Sequence, residues 1–164
     1  MRFKSLITVF LLAVTAPLPL MAGDEMVLFA EEDTKMNAAI KEAQNTLNDA
    51  LALIPPRNGS YDEALTLKVA LERSDGRGDE IIWVGAIRPL GADRFAGKLE
   101  NAPNYLRGKK FGSKVRFSRA QVVDWSIYVD GILWGNYTTR VMLPYLSAEE
   151  ADYMKGLLSK TPLP

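Results

Sequence analysis

The chain has 164 residues, with 20 Lys and Arg against 20 Asp and Glu, no His and no Cys. Without those two side chains, Ser–His–Asp and Cys–His catalysis, disulfides and the usual zinc ligand sets are all excluded. The even charge balance gives no overall electrostatic drive toward nucleic acid or an anionic membrane.

Arg2 and Lys4 precede an uncharged apolar run from Leu6 to Ala16, which Pro17 and Pro19 break ahead of a small-residue site near Ala22. That order is the pattern of a secretory signal. An apolar run of about 11 residues falls short of the roughly 20 that span a bilayer. An uncleaved N-terminal anchor is the competing reading. Cleavage after Ala22 leaves 20 acids against 18 bases; Ala30 is the fallback site. No Cys follows the signal to carry a lipid, so the expected location is periplasmic or secreted. Residues 23–32 read as a flexible lead and 33–164 as one domain, which buries about two-thirds of its unfolded surface.

Met36, Ile40, Ala43, Leu47, Ala50, Leu51 and Ile54 recur every three or four residues, so one apolar stripe on a helix is predicted. Pro55-Pro56 stops it and Asn58-Gly59 turns the chain. Leu65, Leu67, Val69 and Leu71 alternate with polar residues, as in a strand with one buried face. Residues 81–87 are apolar on both faces, which suits a mid-sheet strand. Phe95 to Leu99 is a shorter strand, and 101–112 is a turn-rich loop. Val115 and Phe117 alternate with Lys114 and Arg116, giving an edge-like strand. Val122 to Val129 and Ile132 to Val141 flank Asp130-Gly131, a dipeptide suited to a tight hairpin turn. After Pro144, Ser147-Ala148-Glu149-Glu150 is a capping-box pattern opening a last helix.

Pairing across Asp130-Gly131 sets Ile127 against Trp134, Trp125 against Asn136 and Val123 against Thr138 on one largely apolar face. The other face holds Tyr128 with Leu133, Ser126 with Gly135, and Asp124 with Tyr137, the last a carboxylate beside a phenol. Arg140 falls on the Trp125 side, so an ion pair with Asp124 would need a bulge or a sheet edge. Stacking of Arg140 near Trp125 is the other option.

Arg107, Lys109, Lys110, Lys114, Arg116 and Arg119 form a local basic cluster, read first as solvated charge and second as an anion patch. Gly76 and Gly78 lack the third glycine of a dinucleotide fingerprint, and there is no phosphate-loop motif. Asp75 and Asp79 supply too few oxygens for a calcium loop. No cofactor and no metal are expected. Carboxylate-pair hydrolysis needs only two acids, and Asp124 is the one acid set among aromatics.

Trp83, Gly97-Lys98-Leu99-Glu100-Asn101-Ala102-Pro103, Gly112-Ser113-Lys114-Val115-Arg116-Phe117, Asp124-Trp125 and Gly135-Asn136-Tyr137-Thr138-Thr139-Arg140 follow one another in that order. Their order and spacing resemble the YegJ-like bacterial family, a domain of unknown function, over about residues 65–143. The resemblance implies a compact α+β domain and supplies no catalytic residue; the N-terminal helix lies outside the shared pattern.

The expectation is one α+β domain. A curved, mostly antiparallel sheet of five or six strands carries the N-terminal helix on one face and a short C-terminal helix near an edge. The leading functional reading is a non-enzymatic binding or interaction module of the periplasm or envelope. Its candidate surface is Asp124, Tyr128, Asn136, Tyr137 and Arg140 with Arg107 and Lys109. Its partner would be another envelope protein or a cell-wall glycan, not nucleic acid, with no integral membrane span after signal cleavage. The alternatives are an enzyme acting on envelope polysaccharide or peptidoglycan through Asp124, and a purely structural scaffold.

Overall fold

The computed structural model describes residues 34–163. The expected signal, its cleavage sites and the lead segment lie outside them. Helix α1 (Thr34–Leu53) is followed by strands β1 (Leu65–Glu72), β2 (Asp79–Pro89), β3 (Arg94–Leu99), β4 (Lys114–Ser118), β5 (Val122–Val129) and β6 (Ile132–Gly135). Helices α2 (Tyr137–Met142) and α3 (Ala148–Leu157) complete the chain. The strands form one sheet in the order β4-β3-β2-β1-β5-β6, and every neighbouring pair is antiparallel. This is a single α+β domain. Among the described residues no helix is long and apolar enough to cross a membrane.

Of the predicted stripe Met36, Ala43, Leu47 and Ala50 are buried, Ile40 and Leu51 are half-buried and Ile54 lies past the helix end; Ala39, outside the predicted stripe, is buried as well. Ala43, Leu47 and Ala50 belong to one core cluster with Leu65, Leu67 and Val69 of β1, Val84 of β2, Phe95 and Leu99 of β3, Phe117 of β4 and Trp125 of β5. Small Ala residues at three of the five buried helix positions let the helix lie close to the sheet. Phe95 and Phe117 stack across β3 and β4 with ring centroids 5.7 Å apart. The opposite face of β2 is only half covered: Trp83 is partly buried beneath the Lys68 ammonium, 5.3 Å from its ring centroid, and Ile81 is exposed.

Local bonds cover the β6 edge and two positions of the β4 edge. On β4, Lys109 Nζ donates to the Lys114 carbonyl at 3.1 Å and the Ser118 N–H donates to Gln121 Oε1 at 2.9 Å, leaving Arg116 between them. On β6, the Gly135 N–H donates to the Pro162 carbonyl at 2.8 Å, and the Ser159 N–H to the Leu133 carbonyl at 3.0 Å. The C-terminal segment therefore lies along the β6 edge, where Leu158 bridges Leu133 in parallel.

The strand expected through Val141 is corrected. β6 ends at Gly135, and 137–142 is helix. Gly135 and Asn136 take consecutive left-handed conformations (φ 74° and 56°), which turn the chain out of the sheet. Neither Trp125–Asn136 nor Val123–Thr138 exists as a cross-strand pair; the ladder stops at Ser126–Gly135.

The capping box on α3 is present: Ser147 Oγ accepts from the Glu150 N–H, and Glu150 Oε2 accepts from the Ser147 N–H and hydroxyl. Those bonds hold the Glu150 carboxyl below its ordinary value of 4.5. A depressed folded-state pKa contributes stability that is present above the unfolded value and lost as pH falls through the folded one. A carbon-detected NMR titration should place the Glu150 midpoint below 4.5, and Ser147→Ala should return it toward that value. An unchanged midpoint in Ser147→Ala would mean the capping box is not what shifts it.

Candidate functional site: a closed carboxylate centre

Asp124 is the hub of the Gly135–Arg140 motif. It sits on β5, faces away from α1 and is 0% exposed. Oδ1 accepts from the Trp125 N–H at 2.8 Å and the Tyr137 N–H at 3.1 Å. Oδ2 accepts from the Thr138 N–H at 2.8 Å and the Thr138 hydroxyl at 2.6 Å. Two of these donors are the first N–H groups of α2, which have no partner inside a helix. Asp124 therefore caps α2 from a neighbouring strand, with the negative charge at the positive helix end. Lys68 Nζ approaches Thr138 Oγ1 at 3.4 Å. Burial pushes the Asp124 pKa up, against the pull of the Thr138 hydroxyl, the Thr138 and Trp125 N–H groups and Lys68.

The remaining motif residues build the same joint. The Asn136 amide donates to Ser126 Oγ at 2.8 Å and to the Trp134 carbonyl at 2.9 Å, which suits a residue tolerant of the left-handed region. The Tyr137 ring packs edge-on against Trp125, centroids 5.9 Å apart. Trp125 Nε1 reaches Thr46 Oγ1 of α1 at 3.1 Å. Arg140 forms neither the ion pair with Asp124 nor the stack on Trp125. Its Nε donates to the Gly135 carbonyl at 3.0 Å, Nη1 to the Ser159 carbonyl at 2.9 Å and Nη2 to Ser159 Oγ at 2.9 Å. It ties α2 to the C-terminal segment, and burial lowers its pKa, opposed by Asp124 and Tyr137.

The sequence-derived surface is thus divided. Asp124 (0% exposed) and Asn136 (4%) are interior, while Tyr137 and Arg140 are half-buried. Tyr128 is 52% exposed, and its N–H bonds the Ala64 carbonyl ahead of β1. Arg107 and Lys109 are exposed in the loop between β3 and β4, where the Arg107 N–H bonds Ser74 beyond the other end of β1, so the structure does not bring them together with Tyr128. The expected carboxylate–phenol contact is replaced by a bond from the Tyr137 backbone. Glu80 is a second buried carboxylate that the sequence pattern did not single out. Its oxygens accept from the Asn104 N–H at 2.7 Å and the Tyr105 N–H at 2.9 Å, clasping the start of the basic loop. The Arg73 guanidinium carbon sits 3.6 Å from the Tyr105 ring centroid, and Arg73 pairs with Asp75 at 2.6 Å. Among the described residues no three of His, Cys, Asp and Glu come together as a metal ligand set.

The described residues form a single α+β domain whose signature motif is a buried capping joint. The chain belongs to the family described as "Uncharacterized protein conserved in bacteria (DUF2314)", whose model matches residues 33–157. The match agrees with the resemblance to an uncharacterised bacterial domain and extends it to include α1. No curated protein and no solved structure matches the chain.

Proposed function

We propose that this protein is an exported, non-enzymatic binding module of the bacterial envelope, with two exposed recognition patches, one at Tyr128 and one at Arg107 and Lys109. The closure of Asp124 carries the reading. Its two oxygens are occupied by four donors, and a general acid or base must reach the proton it moves. The outward-facing chemistry is aromatic and basic instead, which suits recognition of a partner. The N-terminal charge and apolar pattern supports export.

The two parts are tested separately. Fractionation of cells expressing the full chain should recover a shortened protein from the periplasm, with mass spectrometry fixing the new N-terminus. Full-length protein in the cytosol would end the export reading. For the surface, a Tyr128→Ala, Arg107→Ala, Lys109→Ala variant should fold yet fail to complement a deletion strain. Full complementation would place the working surface elsewhere.

A further inference from the structure

We infer that the loop between β3 and β4 docks reversibly on anionic phospholipid surfaces, with Phe111 entering the interface and Arg107, Lys109, Lys110 and Lys114 held against the headgroups. The inference rests on the reading of Arg107 and Lys109 as part of a recognition surface. From residue 101 to residue 123 the chain has six Lys and Arg and no Asp or Glu. Arg107, Lys109, Lys110 and Lys114 are exposed. Among the described residues the ion pairs are Arg73–Asp75 and Lys155–Asp152, so none of the four is neutralised within the fold. Two acids, Glu63 and Glu72, line the adjoining cleft together with Arg107, Lys109, Lys114 and Arg116.

Phe111 follows Lys109-Lys110 in the chain and is 63% exposed. It occupies the second position of a turn closed by the Ser113 N–H on the Lys110 carbonyl at 2.9 Å, and Lys110 N–H donates back to Ser113 Oγ at 2.9 Å. Gly112 takes the third position with φ 75°, a conformation that favours glycine there. The Gly112 N–H bonds the Leu99 carbonyl at 2.8 Å, and Glu80 clasps the start of the loop. An apolar ring without a polar tip is therefore held outward by a stiff frame, next to Lys109 and Lys110 in the chain, with the exposed Glu100 the one acid beside the turn. An interfacial anchor combines those elements: apolar burial at the acyl boundary with electrostatic attraction to anionic lipid. A groove for single-stranded nucleic acid would instead present several aromatic platforms along a basic track, and Phe111 stands alone on this turn.

The test is sedimentation of the full chain with phosphatidylglycerol–phosphatidylcholine vesicles and with pure phosphatidylcholine vesicles. The apolar run at residues 6–16 would bind both, so the reading is the preference for the anionic vesicles. Wild type should show that preference and lose it between about 0.1 M and about 1 M salt, as the Debye length shortens from about 10 Å to about 3 Å. Lys109→Gln, Lys110→Gln, Lys114→Gln should weaken anionic binding by roughly a hundredfold, and Phe111→Ser by roughly tenfold. Lys110→Gln alone, whose side chain makes no bond within the described fold, should cost about fivefold and keeps the test standing if the triple variant misfolds. Equal binding by wild type and the charge variants overturns the inference. So does binding that Phe111→Ser leaves unchanged and soluble polyphosphate abolishes, which would make the loop a general polyanion site. If vesicles fail but the surface variants still lose complementation, membrane docking falls while the binding-module reading stands.

Discussion

Asp124→Ala is expected to lower folding stability by about 3–5 kcal/mol, the cost of breaking a buried charged network from one side. Four donors lose their acceptor at once: the N–H groups of Trp125, Tyr137 and Thr138 and the Thr138 hydroxyl. An unpaired buried donor costs about 1–3 kcal/mol, so even partial access of water leaves a large loss against a total of roughly 5–15 kcal/mol for a domain. Asp124→Asn should also be severe. Both carboxylate oxygens accept, so either orientation of the amide turns its NH₂ toward an N–H donor. Thr138→Ser, which keeps the hydroxyl, should stay within about 1 kcal/mol of wild type. Urea unfolding followed by tryptophan fluorescence reads all three. An Asp124→Asn protein with wild-type stability and a lost activity would make the acid a working group and revive the enzyme reading.

Gly135→Ala is expected to prevent native folding. The residue has φ 74°, and a Cβ there would overlap the Trp125 carbonyl oxygen and approach ring atom Cζ3 to 2.7 Å. Trp125 cannot yield, because its ring is fully buried in the core and its indole N–H is committed to Thr46. Overpacking against a rigid wall combined with a left-handed backbone puts the cost above about 4 kcal/mol. Gly131→Ala isolates the backbone contribution. Its φ is 81° with nothing within 4 Å of the added carbon, so a loss of about 1–2 kcal/mol is expected. Near-ultraviolet circular dichroism and soluble yield distinguish the two; similar behaviour would show that crowding against Trp125 contributes little.

Much of the fold was legible because period and burial agree. The stripe from Met36 to Ala50, the alternation of Leu65, Leu67, Val69 and Leu71, the Asp130-Gly131 turn and the box at Ser147 are local signals, and each element forms where its signal stands. The departure at Gly135 has a physical cause. Tyr137-Thr138-Thr139-Arg140-Val141 is rich in β-branched and aromatic residues, so its local preference is for a strand. Tertiary bonds override it: Asp124 supplies the missing acceptors for a helix N-terminus, and Arg140 secures the segment to Ser159. Neither partner lies within a helical turn of the segment, so no local pattern points to it. The nearest sequence cue was Gly135-Asn136, two residues at ease with positive φ. The centre was found as a cluster of residue types but not as an interior, because burial of Asp124 depends on α2. Glu80 was hidden for the same reason, since its partners are backbone groups more than twenty residues away.

The covered edge positions have a consequence for how the protein meets its own copies. An unpaired strand edge is a template for another chain, and its open N–H and C=O groups nucleate fibrils. Here Lys109 and Gln121 occupy the outward groups on either side of Arg116, and the segment from Leu158 to Pro162 occupies β6. Crowded copies find no continuous ladder to extend at either end of the sheet. Strand addition is covered at β6 and confined on β4 to the backbone groups around Arg116, so association of folded copies falls mainly to side chains.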